Sequence, residues 1–246
     1  MIRGVIFDLG STLLYTYLND HWDSVYPRMD ADLLASLQAQ GYALDGEVFI
    51  PRFVANFMAG DERRQKEWKE ITAAEVLKAT LAELGAPGPT PAVMDRAMRA
   101  YYSYPEMLWR PMPGVYETLE RLAASGCKLA IISNASDDAD VQRLIDNGHL
   151  RRYFDPIIVS AAVGIRKPAP EIFRMVLEPW GLPARECVMV GDTLDADILG
   201  AQMAGLHNIW LTAHADRPAN RARRVEITPE VEIAALEELP GILASM

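Results

Sequence analysis

The chain has 246 residues, half of them hydrophobic, and a formal net charge of −10. That length and apolar content suffice for one large core or for a core with a smaller second domain. The acidic balance disfavours non-specific binding to nucleic acid or to an anionic membrane, and no Lys/Arg block interrupts it.

The first segment is an apolar run from Ile2 to Phe7 that ends on Asp8 and continues as Leu9-Gly10-Ser11-Thr12. A run so rich in Val, Ile and Phe reads as a buried strand that delivers an acid to a loop mouth. Asp8 interrupts the apolar start within one signal-peptide length, and no run approaches the ~20 residues that span a bilayer, so a cytoplasmic enzyme is expected.

Between residues 19 and 107 the apolar spacing changes. Leu33-Leu34-Leu37, Val48-Phe49-Phe53-Phe57 and Val76-Leu77-Leu81-Leu84 mark helical faces, and no strand stands out, so a four-helix insertion is predicted. Its hinges fall near residues 15–20 and 107–113, where Pro111 and Pro113 stiffen the return.

From residue 113 onward strands and helices alternate. Strands are predicted at 128–133, 156–160, 187–191 and 208–212, and helices at 114–125, 138–148, 169–178 and 195–204, the signature of a parallel α/β sheet. Two of these strands end as abruptly as the first. Lys128 to Ile132 runs into Ser133-Asn134, and Cys187 to Val190 runs into Gly191-Asp192-Thr193-Leu194-Asp195-Ala196-Asp197. If the three strands are parallel neighbours, Asp8, Ser133 and Asp192 meet at the carboxyl edge of the sheet, where open α/β sheets bind ligands. Between the last two lies Ile165-Arg166-Lys167-Pro168, a cation before a proline-started helix. The stretch 213–224, with Pro218 and four arginines, reads as an exposed loop.

These four motifs, in this order, resemble the haloacid dehalogenase-like hydrolase superfamily over residues 2–16 and 112–212. The resemblance implies a Rossmann-like core (1–18 and 108–246) with a mobile helical cap (19–107) inserted after the first strand. It implies a Mg²⁺-dependent phosphatase of small phosphorylated metabolites that forms an aspartyl-phosphate on Asp8. Asp8, Ser133 and Lys167 are then the catalytic set, and Ser133, Asn134 and Lys167 bind phosphate. Asp8, the Gly10 carbonyl and Asp192 hold the metal, with Asp197 in its outer shell or holding Lys167.

One position departs from the pattern. The superfamily's phosphatases carry a second aspartate two residues after the nucleophile, a general acid worth ~10²- to 10⁴-fold, and here Gly10 stands there. A dehalogenase or phosphonate hydrolase of the same superfamily, or a weakly catalytic phospholigand binder, is the alternative. Dehalogenation needs no metal, which leaves Asp192 beside Asp8 as an uncompensated like charge. Phosphonate hydrolysis needs a cap lysine, and Lys66, Lys69 and Lys78 all sit in charged patterns that read as solvated faces.

Several residues stay open at this level. Asp20, His21 and Asp23 are candidate proton donors or surface groups, and Asn134 orients the Ser133 loop, binds phosphate or is a turn residue. Asp195 is a helix N-cap or a direct participant. Arg63-Arg64 meet an anion or solvent, and Tyr101, Tyr102 and Tyr104 line the cleft or pack the cap. Cys127 and Cys187 open predicted strands without a metal or redox pattern and read as core fillers. Asp137-Asp138 suit the start of the next helix.

Overall fold

In the computed structural model, residues 1–18 and 22–246 are described. The first strand, β1 (Gly4–Phe7), is followed by the two-residue β2 (Leu14–Tyr15). Four helices come next: α1 (Tyr26–Ala39), α2 (Gly46–Glu67), α3 (Ala73–Glu83) and α4 (Pro91–Glu106). The short β3 (Arg110–Pro111) then pairs antiparallel with β2, so the two crossings between helices and sheet run side by side. The remaining chain alternates α5 (Val115–Ala124), β4 (Lys128–Ser133), α6 (Asp138–Asn147), β5 (Ile157–Val159), α7 (Ser160–Val163), α8 (Pro170–Trp180) and β6 (Cys187–Gly191). It closes with α9 (Leu199–Ala204), β7 (His207–Leu211), α10 (Pro218–Arg223), β8 (Val231–Ile233) and α11 (Leu239–Leu243).

The six-stranded sheet has the order β5-β4-β1-β6-β7-β8, and every pairing in it is parallel. A parallel sheet is covered on both faces, which is why its strands read as continuous apolar runs. Alternate residues feed two cores. Val5, Phe7, Leu129, Ile131, Val188 and Val190 pack on one face, while Ile6, Ala130, Ile132 and Met189 meet Ile172, Phe173 and Val176 of α8 on the other. The chain leaves β1 toward β4 and β5, then crosses back to β6, so the switch in direction lies at β1.

The helices α1–α4 enclose a separate core of Leu33, Leu37, Phe49, Phe53, Leu77, Leu81, Ala97 and Tyr101, spaced for single helix faces. Among the described residues of 19–107 the regular elements are helices and a short 3-10 turn at Trp22–Ser24, with an isolated bridge from Lys69 to Ile165. The strands β2, β3 and β8 were not expected from the sequence. Their two or three residues are too short for a period to register.

The segment 213–224 corrects an expectation. It carries α10, and its Asn220 is 2% exposed. The Asn220 side chain donates to the backbone carbonyls of Asp192 and Ala215, both at 2.8 Å, and accepts from Leu194 N at 2.9 Å. A buried carboxamide with its donors and acceptor satisfied fixes a loop that composition alone marks as loose.

Candidate active site

The carboxyl edge of the sheet gathers the expected residues. Asp8 leaves β1 with its N–H donated to Val190 O at 2.9 Å, which ties the end of β1 to β6. The chain then turns tightly: Leu13 N and Leu14 N both donate to Leu9 O at 2.9 Å, and Ser11 takes a φ of 60°, a left-handed conformation rare for serine. Ser133 closes β4 in a buried position, and Gly191-Asp192 close β6.

Lys167 lies at the centre. Its ammonium is 2.6 Å from Asp8 Oδ1 and 2.7 Å from Asp197 Oδ1, and it donates to Ile132 O at 2.7 Å. Burial alone would lower the lysine pKa, but the facing Asp197 and Asp8 carboxylates outweigh burial and raise it, so the group stays charged. The backbone of Lys167 is held by Asn134, whose Oδ1 accepts from Lys167 N and whose Nδ2 donates to Lys167 O, both at 2.9 Å. Asn134 thereby orients the lysine. The carboxamide faces the Lys167 backbone, where sequence alone left it between orienting the Ser133 loop, binding phosphate and forming a turn.

Asp197 is placed by a wide π-helical turn, Leu194–Ile198, in which Asp197 N donates to Thr193 O at 2.8 Å. Its Oδ2 accepts from Thr193 N at 2.9 Å. A Cβ on Gly191 would lie 2.3 Å from this carboxylate, so only glycine lets Asp197 reach under the strand end. Desolvation raises the Asp197 pKa to about 6, against the pull of Lys167. Asp195 is not the N-cap of this turn; Thr193 holds that place, and Asp195 lies half-buried inside it.

Asp192 is 1% exposed, and burial pushes its pKa well up, opposed by Arg217 and reinforced by Asp8. Its backbone carbonyl accepts from Trp210 Nε1 and Asn220 Nδ2, each at 2.8 Å, which locks the loop. Arg217 Nη2 stands 2.8 Å from Asp192 Oδ2 as an ion pair and also donates to Ser11 Oγ. The guanidinium lies off the hydrogen-bonding direction of Asp192 Oδ2, and among the described residues that buried oxygen has no hydrogen-bond donor.

One carboxylate oxygen from each of Asp8, Asp192 and Asp197 lies within 4.8 Å of the others. Hard oxygens so close, one of them buried without a donor, fit a hard divalent cation of the Mg²⁺ type. Asp197 is engaged by both Lys167 and Thr193, whereas Asp8 faces Lys167 and Asp192 faces Arg217, so these two are the carboxylates with an oxygen to offer a cation.

The position of the absent acid is roofed by Trp109. A Cβ on Gly10 would meet the indole at 3.4 Å, and Trp22 packs against the same indole with ring centroids 5.9 Å apart. Asp20 and His21 lie outside the described residues; Asp23 is exposed in the 3-10 turn.

Other open positions resolve into structure. Arg64 is buried, donating to Ile71 O at 2.6 Å and pairing with Glu70, whereas Arg63 is exposed. Tyr101 and Tyr102 are buried among α1–α4, and the Tyr102 hydroxyl reaches Ser136 Oγ at 2.9 Å beside the Ser133 loop. Lys66, Lys69 and Lys78 are exposed. Asp137 caps α6 by accepting from Asp140 N at 2.7 Å. Cys187 is fully buried and Cys127 half-buried, and both are free thiols.

The sequence missed Arg217, Ser11, Asn220 and Trp109 as site residues. Arg217 and Asn220 arrive from a segment without hydrophobic period, and Trp109 from a hinge, so no local signal marked them.

Known proteins bear out the arrangement of the fold. A family model described as haloacid dehalogenase-like hydrolase matches residues 2–205. The chain is 39% identical over 134 residues to a pyrimidine 5'-nucleotidase of Escherichia coli, covering 54% of this chain and 56% of that protein. This match spans little more than half of that relative's length. A ribulose-1,5-bisphosphate 5-phosphatase of Halopiger xanaduensis is 32% identical over 238 residues, covering 89% of this chain and 92% of that one. Among solved structures, a 2-haloacid dehalogenase from Pseudomonas syringae is similar with a TM-score of 0.67 and 27% identity, covering 100% of this chain and 99% of that one. No helix among the described residues is long and apolar enough to cross a membrane. Motif order, sheet topology and the family match over most of its length agree: the chain belongs to the haloacid dehalogenase-like hydrolases.

Proposed function

We propose that this hydrolase is a Mg²⁺-dependent phosphatase of small phosphorylated metabolites, acting through an aspartyl-phosphate on Asp8. The observation that carries it is the Lys167 ammonium shared at 2.6 and 2.7 Å between Asp8 and Asp197, with a third carboxylate, Asp192, buried alongside. Residues 1–18 and 108–246 form the catalytic core, and 19–107 a helical cap that carries specificity.

In the reaction, an Asp8 carboxylate oxygen attacks phosphorus in line with the leaving alkoxide, and the P–O bond to the substrate breaks as the acyl-phosphate forms. Lys167 offsets the charge of Asp8 and of the phosphoryl oxygens, while the Ser133 hydroxyl and adjacent loop amides bind those oxygens. Mg²⁺, when held by Asp8, the Gly10 carbonyl and Asp192, supplies Lewis-acid neutralisation of the transferred group. Water then hydrolyses the acyl-phosphate and regenerates Asp8. With glycine at position 10 no side chain there protonates the leaving oxygen, which favours substrates whose alcohol leaves easily or that carry their own proton source.

The test is phosphate release from a panel of sugar, nucleotide and aryl phosphates with Mg²⁺ and with EDTA, with an L- and D-2-haloacid arm for halide release. Metal-dependent release of phosphate supports the proposal. Activity unchanged in EDTA sinks the metal assignment, halide release without metal assigns the chain to the dehalogenases, and tight phosphate binding without release makes it a binder.

A further inference from the structure

Five charged side chains meet at the carboxyl edge of the sheet, and four of them are largely buried. The side chains of Lys167 and Asp197 are each 1% exposed, Asp192 2% and Asp8 13%, whereas Arg217 is 33% exposed. Lys167 is held by two carboxylates and a carbonyl. Arg217 instead projects from the residue before α10, and the backbone of that helix is pinned to the Asp192 loop through Asn220. The backbone at Arg217 is thereby held beside the site, and its side chain is the most exposed of the five.

We propose that Arg217 is the resident counter-cation of Asp192, which a divalent ion must displace to load the site, so that phosphate and metal bind cooperatively. The inference rests on the metal assignment made under Proposed function. A guanidinium 2.8 Å from Asp192 Oδ2 neutralises that carboxylate and would repel a dication approaching the same oxygen. Its hydrogen bond to Ser11 Oγ holds it across the Asp8–Ser11 turn. Without Arg217, Lys167 is left among the described residues as the cation paired with these three carboxylates, and a dication is the better charge match. A phosphate anion at the mouth gives the displaced guanidinium a new partner, which lowers the cost of its leaving Asp192. Arg217 is thus a positioning residue that sets the order of loading.

The experiment is calorimetric titration of Mg²⁺ into the full chain, wild type against Arg217→Gln, with and without inorganic phosphate, backed by far-UV circular dichroism and thermal melting. Gln drops the charge and keeps a polar side chain. Arg217→Gln is expected to bind Mg²⁺ about tenfold more tightly than wild type without phosphate. Phosphate should tighten Mg²⁺ binding less in the variant than in wild type. Arg217→Lys, which keeps the charge, should stay near wild type, and Ser11→Gly, which releases the anchor, should shift toward Arg217→Gln should that variant fold poorly. Equal or weaker Mg²⁺ binding by a folded Arg217→Gln overturns the proposal, as does equal phosphate coupling in both proteins or a lysine variant that behaves like the glutamine one. Wild type that binds no Mg²⁺ at millimolar concentration overturns the metal assignment itself, a result distinct from wild-type binding that Arg217→Gln leaves unchanged.

Discussion

Asn134 and Lys167 grip each other by two hydrogen bonds of 2.9 Å, the carboxamide oxygen taking the lysine N–H and the carboxamide nitrogen donating to the lysine carbonyl. The pair joins the loop after β4 to the segment before α8 across 33 residues, and it aims the ammonium at Asp8. Asn134→Ala removes both bonds. It should lower kcat by roughly 10- to 100-fold through misplacement of the ammonium, with a smaller change in KM. Steady-state kinetics on the best ester of the panel checks this, and an unchanged kcat would show that Lys167 is held well enough by its carboxylates.

Asp8→Asn keeps the size of the side chain and removes the attacking charge. Phosphatase turnover should fall at least ~10³-fold while the fold persists. Phosphoenzyme trapping followed by peptide mapping is the direct check. Label on any residue other than Asp8 would falsify the nucleophile assignment.

The glycine at position 10 should make the wild type sensitive to its leaving group. An aryl phosphate should turn over faster than a sugar phosphate, and Gly10→Asp should raise turnover on the sugar ester by up to ~10²-fold. A Cβ there meets Trp109 at 3.4 Å, an ordinary contact, so the new carboxyl must pass the indole edge. Gly10→Ala serves as the control that tests the space without the acid. Gain in the alanine variant, or none in a folded Gly10→Asp with intact Mg²⁺ binding, would count against a missing proton donor.

A second acid pair lies where α4 meets α6. Desolvation, with the adjacent Glu106 adding to it, raises the Asp140 pKa to about 8, and Arg143 opposes the shift. Arg143 Nε stands 2.6 Å from Glu106 Oε1, while its Nη2 is 3.7 Å from Asp140 Oδ1. The native state therefore holds a proton that the unfolded chain releases above its ordinary Asp value near 4. Stability should be largest at low pH on this account and fall as pH rises from about 4 to about 8, by at most ~1.4 kcal/mol per pH unit. Asp140→Asn keeps a hydrogen-bonding group without the titration, so its melting temperature should exceed wild type at pH 8 to 9 and converge with it toward pH 4. Parallel melting curves across that range would refute the shared proton.

The sequence by itself determined the layered architecture and the edge of the sheet at which the motif residues gather. Asp8, Ser133 and Asp192 each follow a buried apolar run, and because a parallel sheet aligns strand ends, the order of the motifs places them together. The helices at 19–107 were legible for the same reason, since period and burial are local properties. Tertiary structure alone decided the rest. Asn134 was ambiguous because a loop amide has no period, and only the approach of residue 167 gives it partners. Arg217 and Asn220 lie 25 and 28 residues beyond Asp192, in a stretch whose polar composition resembles a loose loop. They reach the site because β7 carries the chain back to the carboxyl edge beside β6, and α10 then folds over the Asp192 loop. Strand ends are fixed by hydrogen-bond registry that a sequence pattern encodes; which loop side chain crosses to meet them depends on long-range packing that no local pattern records.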